Sequence, residues 1–261
     1  MPLRIAFDLD GVLADMEGEL LRQSKILFGE RVITQIQQQT PPETPALPAE
    51  TPTDAAGTAA SAPSDTPAPE TPADSTQPAV KLQLTARQVS RLWRHIATIE
   101  DFWESLNEIE PGVIARLGTL AIDRRWEVIF LTKRPETAGS TSQVQSQRWL
   151  ESKGFTLPSV FVVQGSRGRI AASLSLDFVI DDRPENCLDV VADSKARAIL
   201  VWREDEKLMP AAARRLGIGT VKSMDEGLDI LTEVDASPRE RPGVVDRVMR
   251  LLGLKNEPAR V

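Results

Sequence analysis

At 261 residues, with 41 % hydrophobic side chains and a formal net charge of −7, the chain is long enough for one large domain or two small ones. No lysine or arginine lies between Arg31 and Lys81, and Glu43, Glu50, Asp54, Asp65, Glu70 and Asp74 supply six of the seven excess negative charges. The remainder is nearly neutral and has no broad basic face for a nucleic-acid polymer. Cys187, the single cysteine, excludes an internal disulfide, and without a long apolar leader or an apolar run of bilayer length the expectation is a soluble cytoplasmic protein with no membrane partner.

The first element is a strand. Ile5, Ala6 and Phe7 run into Asp8 and Asp10, and Gly11 lets the chain turn directly afterwards. Two carboxylates this close repel unless a cation or a proton lies between them. That suits a hard divalent metal with an oxygen-coordinated phosphate, although the string alone also reads as a plain turn rich in Asp and Gly. Residues 16–39 place Leu20, Leu21, Ile26, Leu27, Val32, Ile33 and Ile36 at roughly helical spacing, with a break near Gly29. Residues 40–79 hold ten of the nineteen prolines and no aromatic residue, so they cannot bury enough apolar surface to offset their ordering entropy and are expected to be a disordered spacer. Thr85 as N-cap, followed by Val89, Leu92, Trp93, Ile96, Ile99, Phe102, Trp103 and Leu106, predicts a helix over 85–106. Residues 16–39 and 80–109 then form a small helical cap inserted after the first strand.

Pro111-Gly112 reopens the main domain with a helix over 112–124. Strands are expected at 127–131, 160–163, 178–180, 198–202 and near 220–221, alternating with helices at 141–153, 168–175, 185–193, 205–216 and 225–233. Short apolar runs separated by helices are the pattern of a buried parallel sheet. The expected fold is a Rossmann-like three-layer α/β/α core, residues 1–15 and 110–235, with a peripheral tail over 236–261 that carries a short amphipathic helix at 243–252.

The polar residues that follow the strands are the decisive pattern. Asp8 and Asp10 end the first strand, Thr132 the second, and Asp181-Asp182 the fourth. All lie at carboxyl ends of parallel strands, so they converge on one sheet edge, where open α/β sheets bind ligands. Carboxylates, a hydroxyl and neighbouring cations there make a metal-assisted phosphate site. In Asp182-Arg183-Pro184 part of the motif is helix capping, for which Asp181 is not needed.

FDLDGVLAD (7–15), IFLT (129–132) and DFVIDDRPEN (177–186) together resemble the haloacid dehalogenase superfamily of aspartate-nucleophile phosphotransferases. The IDD ending and the cap after the first motif are most similar to its deoxyribonucleotidase-type 5′-nucleotidases. The resemblance implies that Asp8 attacks phosphorus, that Asp10 is the general acid and then the base, and that Mg²⁺ is held by Asp8, Asp181 and the Asp10 carbonyl with Asp182 behind them. Thr132 is implied to bond a phosphate oxygen, and the substrate is a small phosphorylated molecule, with (deoxy)nucleoside monophosphates leading. The family's lysine ahead of the last motif falls, counting back from Asp181, on Arg167, a planar fork rather than a point charge. Arg169 and Lys133 are alternatives, and Lys133 joins Thr132 and Arg167 as an expected phosphate contact. With that departure, a catalytically impaired binding module or a phosphotransferase is the competing reading.

The remaining signals read as structural. Lys133-Arg134 include a solvated loop pair as an alternative to substrate contact. Gly165 and Gly168 start a helix, and His95 packs or faces solvent. Cys187 is a small packed residue, and Trp93, Phe102 and Trp103 pack between cap helices. The oligomeric state has no sequence signal.

Overall fold

The computed structural model describes residues 2–30 and 84–236. The expected spacer at 40–79, the continuation of the first cap helix beyond residue 30, residues 80–83 of the cap and the tail from residue 237 lie outside the described residues. Six strands make one parallel sheet: β1 (Arg4–Asp8), β2 (Glu127–Thr132), β3 (Ser159–Val162), β4 (Phe178–Asp181), β5 (Arg197–Val201) and β6 (Gly219–Val221), in the order β3-β2-β1-β4-β5-β6. The order reverses at β1, and the crevice of a doubly wound sheet opens at such a reversal.

Successive strand side chains point to opposite faces, and here they divide two cores. Ile5, Phe7, Phe130, Phe178, Ile180, Ile199 and Val201 face one side. There they meet α3 (Val113–Arg124), α4 (Ser142–Ser152) and α8 (Met224–Ala236) through Leu117, Trp149 and Leu228. Ala6, Leu131, Val179, Ala198 and Leu200 face the other side, covered by α5 (Arg167–Ser173), α6 (Pro184–Asp193) and α7 (Ala211–Arg215) through Ala171, Cys187 and Ala213. The fold is therefore a three-layer, Rossmann-like α/β/α sandwich. β3 and β6 are its edge strands, and Phe161 and Val162 of β3 are exposed; an apolar run reads the same whether a strand is central or marginal.

Among the described residues between β1 and α3 lie two further helices, α1 (Met16–Phe28) and α2 (Ala86–Ile96). Asp15 caps α1 by accepting from Gly18 N at 2.9 Å, and Gly29 ends it at φ 88°. Thr85 and Gln88 make a reciprocal capping box at the start of α2. His95 Nε2 meets Gln23 Oε1 at 3.1 Å, joining the two helices. The chain leaves and re-enters the core over a narrow neck, where Asp15 N donates to Asn107 O and Ile109 N to Leu13 O, each at 2.9 Å.

Two predicted helices are each interrupted. The helix expected over 85–106 stops at Ile96, and after Asp101 (φ 48°) a 3-10 turn covers Phe102–Ser105. Asp101 turns there because its N–H donates to Ala138 O and its side chain accepts from Ser140 N, contacts made by a distant loop. The helix expected over 205–216 is a 3-10 turn, Glu206–Leu208, and then α7. Pro210 separates them, since it has no N–H to donate and can begin a helix but not continue one.

Candidate active site

Gly11 at φ 86° turns the chain straight after Asp10, and a Cβ built there meets Asp182 Oδ2 at 2.2 Å. Glycine is required by the backbone angle, and a side chain there would also displace the Asp182 carboxylate. Asp8 and Asp181 stand on neighbouring strands, one residue beyond the paired Phe7 and Ile180. The sheet edge thus brings the first and last acidic motifs side by side.

Between those acids lies Arg167. Its Nη2 donates to Asp8 Oδ1 at 2.6 Å and its Nε is 3.7 Å from Asp181 Oδ2, with 2 % of the side chain exposed. Its Nε and Nη1 are buried and make no hydrogen bond. Arg169, the alternative cation, points away, with 84 % of its side chain exposed and Asp193 3.9 Å off. The position of Arg167 is enforced by its helix. Ser166 caps α5, Ser166 Oγ and Gly168 N both donate to Asp189 of α6, and a Cβ on Gly168 lies 2.2 Å from Asp189 O. Helix α5 therefore packs too tightly on α6 for Arg167 to retreat.

Asp10 is held by a second arginine. Arg134 Nε donates to Asp10 Oδ1 and Oδ2 at 3.0 and 3.1 Å, and its Nη2 donates to Oδ1 at 2.8 Å. The Thr132 hydroxyl donates to Asp10 Oδ2 at 3.0 Å and accepts from Arg134 N at 3.2 Å. Lys133, between them in sequence, is half-buried at the rim of the cavity. Reading Lys133-Arg134 as an undifferentiated pair missed the division of labour. The signal was present, because Arg134 stands two residues beyond Thr132 and an extended chain returns to the same face with that period.

Asp181 accepts from Arg183 N at 2.9 Å and from Asn186 Nδ2 on both oxygens, at 3.0 and 2.9 Å. Asp181 thus caps no N–H of the first turn of α6, as expected, and braces the turn that leads into the helix. Arg183 occupies the N-cap position and makes no side-chain capping bond, so the acid two residues earlier receives its N–H, an Asx-type turn. Asn186 was not singled out in the sequence.

The electrostatics follow from burial. Burial, then the charge of Asp181, push the Asp8 carboxyl well above the usual carboxylate range of 3.8, with Asp182 and Asp10 adding and Arg167 opposing. Burial likewise raises Asp181, against Arg167, Arg183 N and Asn186. The Cys187 thiol is raised well above its ordinary value, chiefly by burial, which fits its packed position and not a reactive thiol.

Above these groups lies a cavity of about 320 Å³, at the small end of the ~300–1,000 Å³ usual for small-molecule sites. Asp8, Asp10 and Arg167 lie at its base, and Met16, Leu20 and Trp202 supply apolar wall. Glu17, Glu185 and Glu204 add negative charge at its sides, and Lys133 and Arg183 add positive charge. Trp93, Phe102 and Trp103 do not line it. They pack together, with Phe102 and Trp103 edge to face at 4.9 Å between ring centres. Among the described residues no group of three or more His, Cys, Asp or Glu side chains is drawn together as a ready-made metal cluster. No helix of the described residues is long and apolar enough to cross a membrane.

No protein-family model matches the chain, and no curated protein matches it. Solved structures similar to it include a protein from Thermotoga maritima assigned as a beta-phosphoglucomutase, with a TM-score of 0.48 and 18 % identity over 89 % of this chain and 99 % of that one. A HAD family hydrolase from Deinococcus radiodurans R1, with bound phosphate and sodium, has a TM-score of 0.46 and 14 % identity over 90 % and 96 % of the two chains. A phosphonoacetaldehyde hydrolase like protein from Oleispira antarctica has a TM-score of 0.41 and 14 % identity over 98 % and 96 %. At these identities the likeness assigns no role to any side chain, and such roles rest on the geometry described above.

Proposed function

We propose that the chain is a phosphate monoester hydrolase of haloacid-dehalogenase type, working through an aspartyl-phosphate on Asp8. The observation that carries the reading is Arg167: a buried guanidinium touching Asp8, whose Nη1 makes no hydrogen bond and whose Nε has only Asp181 at 3.7 Å. Buried donors without acceptors are costly, and a phosphoryl oxygen beside Asp8 is the partner that a guanidinium fork matches best.

The residues match a hard divalent cation in charge and donor chemistry, without being drawn together as a preformed cluster among the described residues. Four acids, Asp8, Asp10, Asp181 and Asp182, meet two buried guanidiniums, Arg134 and Arg167. The imbalance and the all-oxygen donor set suit Mg²⁺. The carboxylates of Asp8 and Asp181 and the backbone carbonyl of Asp10 would hold it, with Asp182 nearby on the cavity wall. When bound it would supply charge neutralisation for nucleophile and phosphate.

The chain's own residues supply the rest. Arg167 receives the phosphate, with Lys133 at the rim, and turns phosphorus toward Asp8. An Asp8 oxygen forms the bond to phosphorus as the ester oxygen leaves with a proton from Asp10. Water then attacks phosphorus and gives its proton to Asp10, and Asp8 departs as a carboxylate. Thr132 spends its proton on Asp10, so its part is to place that acid, and a phosphate contact requires the hydroxyl to rotate. Positioning and charge stabilisation carry most of such a reaction.

We further propose a nucleoside monophosphate as substrate. The cavity volume and the apolar wall of Met16, Leu20 and Trp202 support a small leaving group with a flat apolar face. Helix α1 contributes Met16 and Leu20, so the cap helices choose that group and exclude water.

Phosphate release with Mg²⁺ over nucleotides, sugar phosphates and an aryl phosphate tests both levels. The hydrolase reading expects release that vanishes in Asp8→Asn. Release only with an added alcohol would make the chain a phosphotransferase. No release, with thermal stabilisation by phosphorylated ligands, would make it a binding module.

A further inference from the structure

Arg134 is built into the fold more firmly than an ion pair needs. Its side chain is fully buried. The guanidinium carbon lies 5.0 Å from the Trp103 ring centre and 5.5 Å from that of Trp149, so the cation faces two aromatic rings. Nη1 donates to Ser146 Oγ at 2.9 Å, and Ser146 Oγ in turn donates to Ser142 O at 2.6 Å. The two rings are themselves anchored: Trp103 Nε1 donates to Pro135 O at 3.0 Å and Trp149 Nε1 to Leu106 O at 2.7 Å. Only the edge formed by Nε and Nη2 reaches Asp10.

We propose that Arg134 is a positioning residue for Asp10 in the second half of the reaction, an inference that rests on the hydrolase reading above. The fork and the Thr132 hydroxyl place donors on both Asp10 oxygens, so the carboxylate is fixed in one rotamer. In the step concerned, a water oxygen bonds to phosphorus, the bond from phosphorus to the Asp8 oxygen breaks, and the water proton passes to Asp10. Asp10 lines the cavity beside Asp8, where that water must stand. Arg134 does not line the cavity, whereas Asp10 does, so Arg134 acts through Asp10. Because Trp103, Trp149 and Ser146 hold it independently of Asp10, it stays in place when the carboxylate takes up the proton.

The first half-reaction needs little help with an aryl phosphate, whose leaving group departs without a proton, and the second still needs Asp10. The test is rapid-quench and steady-state kinetics with 4-nitrophenyl phosphate and Mg²⁺ on the full chain. Arg134→Gln should lower steady-state turnover by about 100-fold, the scale of a ~1 Å misplacement of a catalytic group, with KM falling in parallel so that kcat/KM, which reports the first half, changes less than about threefold. It should also release a burst of nitrophenolate approaching one equivalent per enzyme, because the aspartyl-phosphate accumulates. A purely structural role would slow both halves alike, so a loss without a burst overturns the proposal, as does unchanged turnover. If Arg134→Gln fails to give the wild-type circular dichroism spectrum, Arg134→Lys is read by the same criteria. It keeps the charge between the rings but cannot grip both oxygens, so a burst with a loss of about tenfold is expected. Wild-type protein that releases no phosphate removes the hydrolase reading and this role with it; a wild type that turns over beside variants without a burst removes this role alone.

Discussion

Arg167 Nη2 and Asp8 Oδ1 meet at 2.6 Å although 159 positions separate the two residues in the chain. One residue comes from the start of a helix and the other from the end of the central strand. Their contact exists because α5 covers the face of the sheet onto which Asp8 points, and it puts a fixed cation beside the proposed nucleophile.

Replacing that cation should show its worth. Arg167→Ala is expected to lower phosphate release by about 100- to 1,000-fold, the usual effect of removing one preorganised donor from a charge-stabilising site. Arg167→Lys should stay within about tenfold of wild type, since a lysine keeps the charge but presents it as a point. Unchanged activity in Arg167→Ala, measured as inorganic phosphate, would remove Arg167 from the site.

The acid itself should be a source of instability in metal-free protein. Burial and Asp181 raise the Asp8 carboxyl well above its usual value of 3.8. A carboxyl with a raised folded pKa binds its proton more tightly in the fold, so its stabilising contribution is present at low pH and is lost as pH climbs through that folded value. Asp8→Asn, which has no proton to lose, should therefore melt roughly 3 °C or more above wild type near neutral pH in a chelator. The gap should close as pH falls toward 4. A gap that widens on acidification would contradict the argument.

Magnesium should act in the opposite direction on the wild type. At about 100 times its dissociation constant a ligand specific to the folded state adds ~2.7 kcal/mol, so Mg²⁺ should raise the melting temperature measurably, with no substrate present. Asp181→Asn should abolish most of that rise. An equal shift in both proteins would place the ion elsewhere.

Gly168→Ala tests the packing beneath Arg167. The added methyl would lie 2.2 Å from Asp189 O and 2.7 Å from Asp193 Cβ, so α5 must separate from α6. Overpacking of this kind costs typically ~1–3 kcal/mol. The melting temperature should drop and phosphate release should fall with it, because Arg167 shares the displaced turn. A variant as stable as wild type would show that the interface gives way freely.

Several parts of this arrangement were legible in the residues alone. Alternating apolar runs and helices imply a parallel sheet, and acids placed just after two of those runs imply a shared edge, since both conclusions need only periodicity and chain direction. Thr85 announced a helix start, and the local bonds it makes with Gln88 are ones that sequence neighbours make by themselves. Where distant segments intervened, the sequence was mute. The helix through Asp101 broke because Ala138 and Ser140 bond to it, and β3 became an edge through its place in the strand order.

Arg134 and Arg167 mark the boundary most sharply. Both are arginines near a proposed phosphate site, and residue type alone assigns neither its partner. Folding sends one between two tryptophans to grip Asp10 and the other between Asp8 and Asp181. Sequence settled which residue types gather at the carboxyl edge, because strand direction and alternation are local properties. Only tertiary packing decided which cation meets which acid, because a side chain's partner is set by the helix or ring that closes the space behind it.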